Sequence, residues 1–310
     1  MFTIKYGTHT KNIDVTMIVM NMMCKNNIIC IPASDNNKSG YFGDPAWGSL
    51  KSIFIIINNI EQTTYEYDHT KNIYIDINSN RIYFNNIPDY IYETWPDIHK
   101  KLASIHSKLK LDHGSFNDEF PEQIMATKYL TGNEKVLEIG GNIGRNSLVI
   151  GSLIPNNNFV TMECDENIAK KLTCNRDNNN MTFFIENSAL STKKLIQKGE
   201  DTVNQTIVSD IVLEGYKEVS IISYDMLQKK YNIVFDTLVL DCEGAFYYIL
   251  MDMPEILNSI NLIIMENDYH NIDHKNYIDN ILTTNNFKRD YVESGGWGVC
   301  FNNFYEVWRK

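Results

Sequence analysis

The sequence predicts a doubly wound α/β fold over its last two-thirds, preceded by a small β-rich domain. Three observations carry this reading. From about Asp118, short apolar runs alternate with stretches of helical period, the pattern of a parallel sheet covered by helices on both faces. Residues 1–90 instead hold β-branched and aromatic runs broken by Asn, Gly and Pro, without a long helical period. Between the first apolar run of the later part and its first helix lies a glycine turn, Gly140-Gly141-Asn142-Ile143-Gly144, the kind of junction where backbone N–H groups meet a ligand.

The elements follow in order. In the first part, Ile53 to Ile57 is a strand; Tyr65 to Asp68, then 69–72, then Ile73 to Ile77 reads as strand, turn, strand; and Arg81 to Phe84 follows. Together they predict a small antiparallel β-module over 1–90. The segment 91–117, with Pro96 and Gly114, reads as a linker or a lid. Pro121 sits at a helix start leading Glu122 to Leu130. Next come Lys135 to Ile139 (strand), Gly144 to Ser152 (helix), Asn158 to Glu163 (strand), Glu166 to Asn175 (helix) and Met181 to Ile185 (strand). Phe235 to Asp241 is a strand, Ala245 to Met253 a helix, Leu262 to Glu266 a strand and Asn276 to Thr284 a helix. The runs 287–291 and 300–308 close the domain, which spans 118–310.

Composition bounds the function. The chain has 310 residues, 43% hydrophobic, with a formal net charge of −11, which argues against a duplex nucleic-acid binder because such proteins neutralise phosphates with clustered Lys and Arg. The basic pairs at Lys100, Lys193 and Lys229 do not extend into a stripe. The six cysteines form no CxxC, so free thiols in a reducing compartment are expected. No charged segment followed by an apolar stretch opens the chain, and the most apolar run is far shorter than a bilayer span. A soluble, cytoplasmic protein is the expectation.

Chemistry concentrates at strand ends. A dinucleotide fingerprint needs G-x-G-x-x-G, and Asn142 stands where its second glycine belongs. Glu138, two positions before Gly140, suits a ligand carrying a positive ammonium group, as the methionine end of S-adenosylmethionine does. Glu163 closes the next strand, where a carboxylate accepts hydrogen bonds from ribose hydroxyls; Asp165 suits a helix N-cap better. Asp241-Cys242-Glu243-Gly244 and Glu266-Asn267-Asp268-Tyr269-His270 end the two later strands, and in open α/β sheets ligands bind outside such ends.

These motifs resemble the FkbM family of methyltransferases over 121–291. Glu138 to Gly144 is similar to the family's acid-x-Gly-Ala-Asn-x-Gly, with Gly141 where Ala is usual. Met162-Glu163-Cys164 resembles its Phe-Glu-Pro without the Pro, and Asn187-Ser188-Ala189-Leu190 resembles its Asn-x-Ala-Leu. Asp241 to Phe246 is similar to Asp-Val-Glu-Gly-Ala-Glu, with Phe246 replacing the last acid, and Glu266 closes the next strand. The resemblance implies a class I, Rossmann-like methyltransferase sheet and O-methylation of a small-molecule or sugar (glycan) acceptor. It also implies an S-adenosyl-L-methionine site in which Glu138, Gly140, Asn142 and Gly144 hold the methionine and ribose, Glu163 the ribose hydroxyls, and Asn187, Ser188 and Ala189 lie beside adenine. A weaker likeness joins Tyr6-Gly7, Asp14-Val15-Thr16, Phe42-Gly43-Asp44-Pro45, Gly48 and Lys51 to the small C-terminal domain of a DnaJ-type co-chaperone, which implies a module for binding or assembly with a protein partner.

An alcohol acceptor must lose a proton, so a base beside the sulfonium helps. Asp241 and His270 are the catalytic candidates, with His113 in reserve, an imidazole having the suitable ordinary titration range. Asp241, Glu266 and Asn267 also resemble the oxygen set that holds Mg²⁺ in catechol-type methyltransferases, and a metal would acidify the hydroxyl directly. Two alternatives stand beside this: a module that keeps S-adenosylmethionine without turnover, and a nucleic-acid methyltransferase. The second lacks the expected Pro-Pro-aromatic turn after the fourth strand.

Overall fold

The computed structural model describes residues 2–25, 27–57, 63–67, 72–77, 80–84, 97–198, 205–293, 295 and 298–310. The chain forms two compact units, Met1–Lys101 with Glu293–Trp297, and Leu102–Val292 with Gly298–Lys310.

The first unit holds two antiparallel four-stranded sheets. One runs Asn12–Asp14, Phe2–Gly7, Ser52–Ile57, Thr63–Tyr67; the other Cys24–Lys25, Ile28–Ile31, Ile73–Asp76, Arg81–Phe84. Fully buried residues recur two apart (Ile4 and Tyr6, Ile29 and Ile31, Ile53 and Ile55), the period that puts one strand face in a core. One expectation is corrected here. Thr63–Tyr67 and Ile73–Asp76 are strands but do not pair as a hairpin, because Ile73 and Ile75 lie opposite Ile31 and Ile29 in the other sheet. The expected turn at 69–71 lies outside the described residues. The motif residues Tyr6, Asp44 and Lys51 join in one knot: Lys51 Nζ is 2.9 Å from Asp35 and 3.2 Å from Asp44, and the Tyr6 hydroxyl donates to Asp35 at 2.7 Å. Their visible work is to hold the short helix Asp35–Phe42 to the sheet.

The second unit is built on a seven-stranded mixed sheet. Its strands are β1 (Val136–Ile139), β2 (Phe159–Met162), β3 (Phe184–Glu186), β4 (Thr237–Leu240), β5 (Leu262–Glu266), β6 (Lys288–Glu293) and β7 (Tyr305–Arg309). Their spatial order is β3-β2-β1-β4-β5-β7-β6, with β1 to β5 parallel and β7 antiparallel to β5. All four residues of β1, β2 and β4 are buried, as strands covered on both faces require. Helix α1 (Asp97–His106) straddles the division between the units at Lys101; the helices of the second unit are α2 (Phe120–Tyr129), α3 (Arg145–Leu153), α4 (Glu166–Asn178), α5 (Tyr224–Tyr231), α6 (Ala245–Asp252) and α7 (Ile272–Thr284). The doubly wound α/β reading therefore holds. β3 begins at Phe184, and α7 begins four residues before its expected start because Asn271 caps it, its side chain accepting from Asp273 N. Between β3 and α5 the chain inserts a strand pair (Ala189–Leu190, Ile221–Ile222) and a three-stranded antiparallel sheet (Leu195–Lys198, Gln205–Val208, Lys217–Val219). Among the described residues no helix is long and apolar enough to cross a membrane, and the six cysteines are free thiols.

Of the segment expected as linker or lid, residues 97–117 are described. Leu102 of α1 is buried against Ile124 and Val149, and His106 stacks on Phe116 at 4.5 Å while meeting Gln123 at 2.6 Å. Asn175 of α4, fully buried, accepts from the N–H groups of Asp112 (2.9 Å) and His113 (3.1 Å) and donates to the carbonyls of His113 (3.0 Å) and Ile143 (2.8 Å). One amide thus ties 112–113 to the glycine turn, and residues 102–117 are a fastened part of this unit. Asn175→Ala leaves buried backbone groups unpaired and is expected to cost roughly 2–4 kcal/mol, read from urea unfolding. A change below about 0.5 kcal/mol would contradict this account of the segment.

Candidate functional site

The strand order reverses between β1 and β4, which are sheet neighbours although β2 and β3 intervene in sequence. Ligands in such sheets bind at this switch point, outside the carboxyl ends of the strands. The glycine turn leaves β1 there. Gly140 adopts φ +93°, and a Cβ on it would lie 1.6 Å from the Asp241 carbonyl oxygen, so the β1 and β4 ends approach as closely as backbone allows. Asp241 N donates to Ile139 O at 3.1 Å across the same seam. At Gly141 a Cβ would lie 2.2 Å from Thr161 Oγ1, so Thr161 occupies the space that an alanine would need.

Thr161 stands there because of Glu138. The two residues face each other in register on β2 and β1, and Ser147 of α3 donates to the Glu138 carboxylate from above. Glu138 is 2% exposed, and burial pushes its carboxyl up to about 7. It therefore braces the glycine turn from behind.

Glu163, one residue beyond β2, accepts from Asn142 N at 3.0 Å and from Asp165 N at 2.8 Å; burial pushes its carboxyl up to about 7. It links the turn to the start of α4, which Asp165 caps by accepting from Asn167 N and Ile168 N. Asn142, at φ +46°, is pinned by its own side chain, which accepts from Ile143 N (2.9 Å) and donates to Glu119 (3.1 Å). Asn187 is exposed and donates to the Glu163 carbonyl at 2.8 Å. Ser188 is buried and donates to Glu186, whose carboxylate also meets Lys230 and Tyr231. Ala189 lies in the strand pair that follows. Phe246 is 1% exposed and part of the core.

Carboxyls crowd the other side of the turn. Glu119 and Glu122 come from the start of α2, Asp241 and Glu243 from the end of β4, Glu266 and Asp268 from the end of β5. Burial and the neighbouring Glu119, Glu122 and Glu243 hold Asp241 well above the usual carboxylate range. Burial and Asp241 do the same to Glu266, and burial with Glu243 pushes Asp268 up to about 8. Arg145 is the cation here, and it is bound by Glu119 at 2.5 Å and Asp118 at 3.5 Å. Such a basin favours bound positive charge and repels a pyrophosphate.

One carboxyl oxygen each from Glu122, Asp241 and Glu266 lies within 4.8 Å of the others. Asn267, the third oxygen donor the sequence suggests, is fully buried; its amide nitrogen donates to the Asn303 carbonyl at 2.6 Å and its Oδ1 has no hydrogen-bond partner. Glu122 is the residue the sequence did not single out. His270 is exposed between β5 and α7, and His113 sits over Asn175.

No protein-family model matches the chain, and no curated protein does. Among solved structures it is similar to the ribosomal protein L11 methylase of Lactobacillus delbrueckii subsp. bulgaricus, at 11% identity over 65% of this chain and 84% of that one, with a TM-score of 0.40. It is also similar to the O-methyltransferase of Bacillus cereus in complex with SAH (12%, 72% and 96%, 0.40) and to precorrin-6y C5,15-methyltransferase of Geobacter metallireducens (9%, 66% and 96%, 0.39). These neighbours are methyltransferases with different acceptors, and similarity this distant carries no argument about chemistry.

Proposed function

We propose that the second unit is an S-adenosylmethionine-dependent methyltransferase acting on an oxygen of a small-molecule or glycan acceptor, as its resemblance to the FkbM family implies. The observation that carries the cofactor reading is Glu163, a buried-edge carboxylate hydrogen-bonded to the glycine turn at the switch point, with an acid basin on the turn's other side. A carboxylate with lone pairs to spare suits ribose hydroxyls. The basin suits the ammonium and sulfonium charges, whereas a dinucleotide's pyrophosphate would meet carboxylates and an Asn142 N–H already given to Glu163.

When bound, the cofactor supplies an electrophilic methyl group. The chain's own residues do the rest. Gly140 to Gly144 shape the turn, Glu138 braces it, Glu163 and Asn187 flank the nucleoside side, and Asp241 faces the positive centres. Asp241 and His270 remain the candidates for taking the acceptor's proton, His270 from the exposed rim of β5.

Methyl transfer from isotope-labelled S-adenosylmethionine to glycan and small-alcohol acceptors tests the reaction, with the product's new O–CH₃ identified by NMR. Saturable cofactor binding with no transfer would favour the non-catalytic module, and label on nitrogen alone would overturn the oxygen assignment. Glu163→Gln is expected to raise KM for the cofactor roughly tenfold to a hundredfold with a smaller effect on kcat. An unchanged KM would remove Glu163 from the site.

A further inference from the structure

We propose that Glu122, Asp241 and Glu266 form a binding site for one hard divalent cation, Mg²⁺ or Mn²⁺. Each comes from a different rigid element: the first turn of α2, the end of β4 and the last residue of β5. Their oxygens converge within 4.8 Å, a spacing at which the mutual repulsion of three carboxylates is relieved by bound protons or by a cation between them. A second observation points the same way. Glu122 is 6% exposed, and its Oε2 is buried with no protein N–H or hydroxyl donating to it, the Glu266 carboxyl being its side-chain neighbour. Arg145, the cation nearest to answering it, is engaged by Glu119 and Asp118.

The donor set is all oxygen, which selects hard cations over zinc or copper. Backbone pairing fixes the geometry: Asp241 N donates to Ile139 O, and Glu266 is in register with Tyr305 of β7. Glu122 closes one side, while Asp241 and Glu266 are only partly buried, so the ion keeps positions for water or for an acceptor oxygen. Occupancy of the site does not depend on the cofactor reading. Its use, lowering the pKa of an acceptor hydroxyl so that its proton leaves to water or His270, rests on that reading.

The test titrates Mn²⁺ into EDTA-treated full-length protein without nucleoside, following free Mn²⁺ by electron paramagnetic resonance. One ion per chain is expected, displaced by Mg²⁺, with Glu122→Gln and Glu266→Gln each weakening binding roughly tenfold or more. Circular dichroism melts establish that the variants fold; should Glu122→Gln fail to, Glu266→Gln and Asp241→Asn carry the comparison. No saturable binding by about 10 mM Mn²⁺, well past the weak end of protein Ca²⁺ and Mg²⁺ sites, or binding that the folded variants leave unchanged, overturns the site. S-adenosylhomocysteine binding measured on the same preparations separates the two failures, since loss of Mn²⁺ binding alone removes the metal and loss of nucleoside binding alone removes the cofactor reading.

Discussion

Gly140→Ala is expected to destabilise the second unit by roughly 4 kcal/mol or more and to abolish nucleoside binding in whatever folds. Two effects add. An alanine at φ +93° is strained, and its methyl would need the space 1.6 Å from the Asp241 carbonyl, which is backbone and cannot swing away. Relief requires parting the β1 and β4 ends, and that breaks the Asp241 N to Ile139 O bond at the floor of the proposed pocket. Chemical denaturation of the purified variant checks the first part and calorimetric titration the second. A variant within about 1 kcal/mol of the parent would show that the seam is looser than described.

Stability of the ligand-free protein is expected to fall as pH rises from about 5 to 8. Burial raises the Glu138 and Glu163 carboxyls to about 7, above their ordinary value of 4.5. Between those values the folded state keeps protons that the unfolded chain releases, so the stabilisation present below pH 4.5 is lost as pH rises through 7. For Glu138, wholly enclosed, the loss is on the order of 3 kcal/mol, a fall of several degrees in Tm. Asp165 and Glu186, lowered by their lysine partners, act in the opposite sense below that window. Thermal melts of the parent and of Glu138→Gln check this, the variant losing part of the slope while Glu163 and the acids at the β4 and β5 ends keep the rest. A parent Tm that rises from pH 5 to 8 would contradict it.

The main sheet was legible because its strands are short apolar runs ending in acids or glycine, and that pattern has few other readings. The glycine turn, Glu163 and Asp241 could be named for the same reason: each sits at a strand end. Glu122 could not. It lies one position past Pro121 in a helix whose residues are nearly all buried, Glu122, Gln123 and Thr127 included, so helical period gave no polar face to mark it. The signal available was a chain of polar residues in a helix with little exposed surface, which only packing reveals. For Ser188 and Glu138 the side-chain direction was not legible, because local sequence does not say which face of the sheet a side chain takes, and Thr161, Ser147 and Lys230 decided that. The strands 63–67 and 73–76 were visible, and their pairing was not, because register follows the partner that best covers Ile73 and Ile75.

Calorimetric titration of the purified chain with S-adenosylhomocysteine addresses the central claim most directly. Saturable binding at one nucleoside per chain, strongly weakened in Glu163→Ala, is the predicted result. Absence of any binding heat at about 1 mM ligand, or binding indifferent to Glu163→Ala, would contradict the assignment of the β1–α3 glycine turn and the β2 end as a nucleoside site.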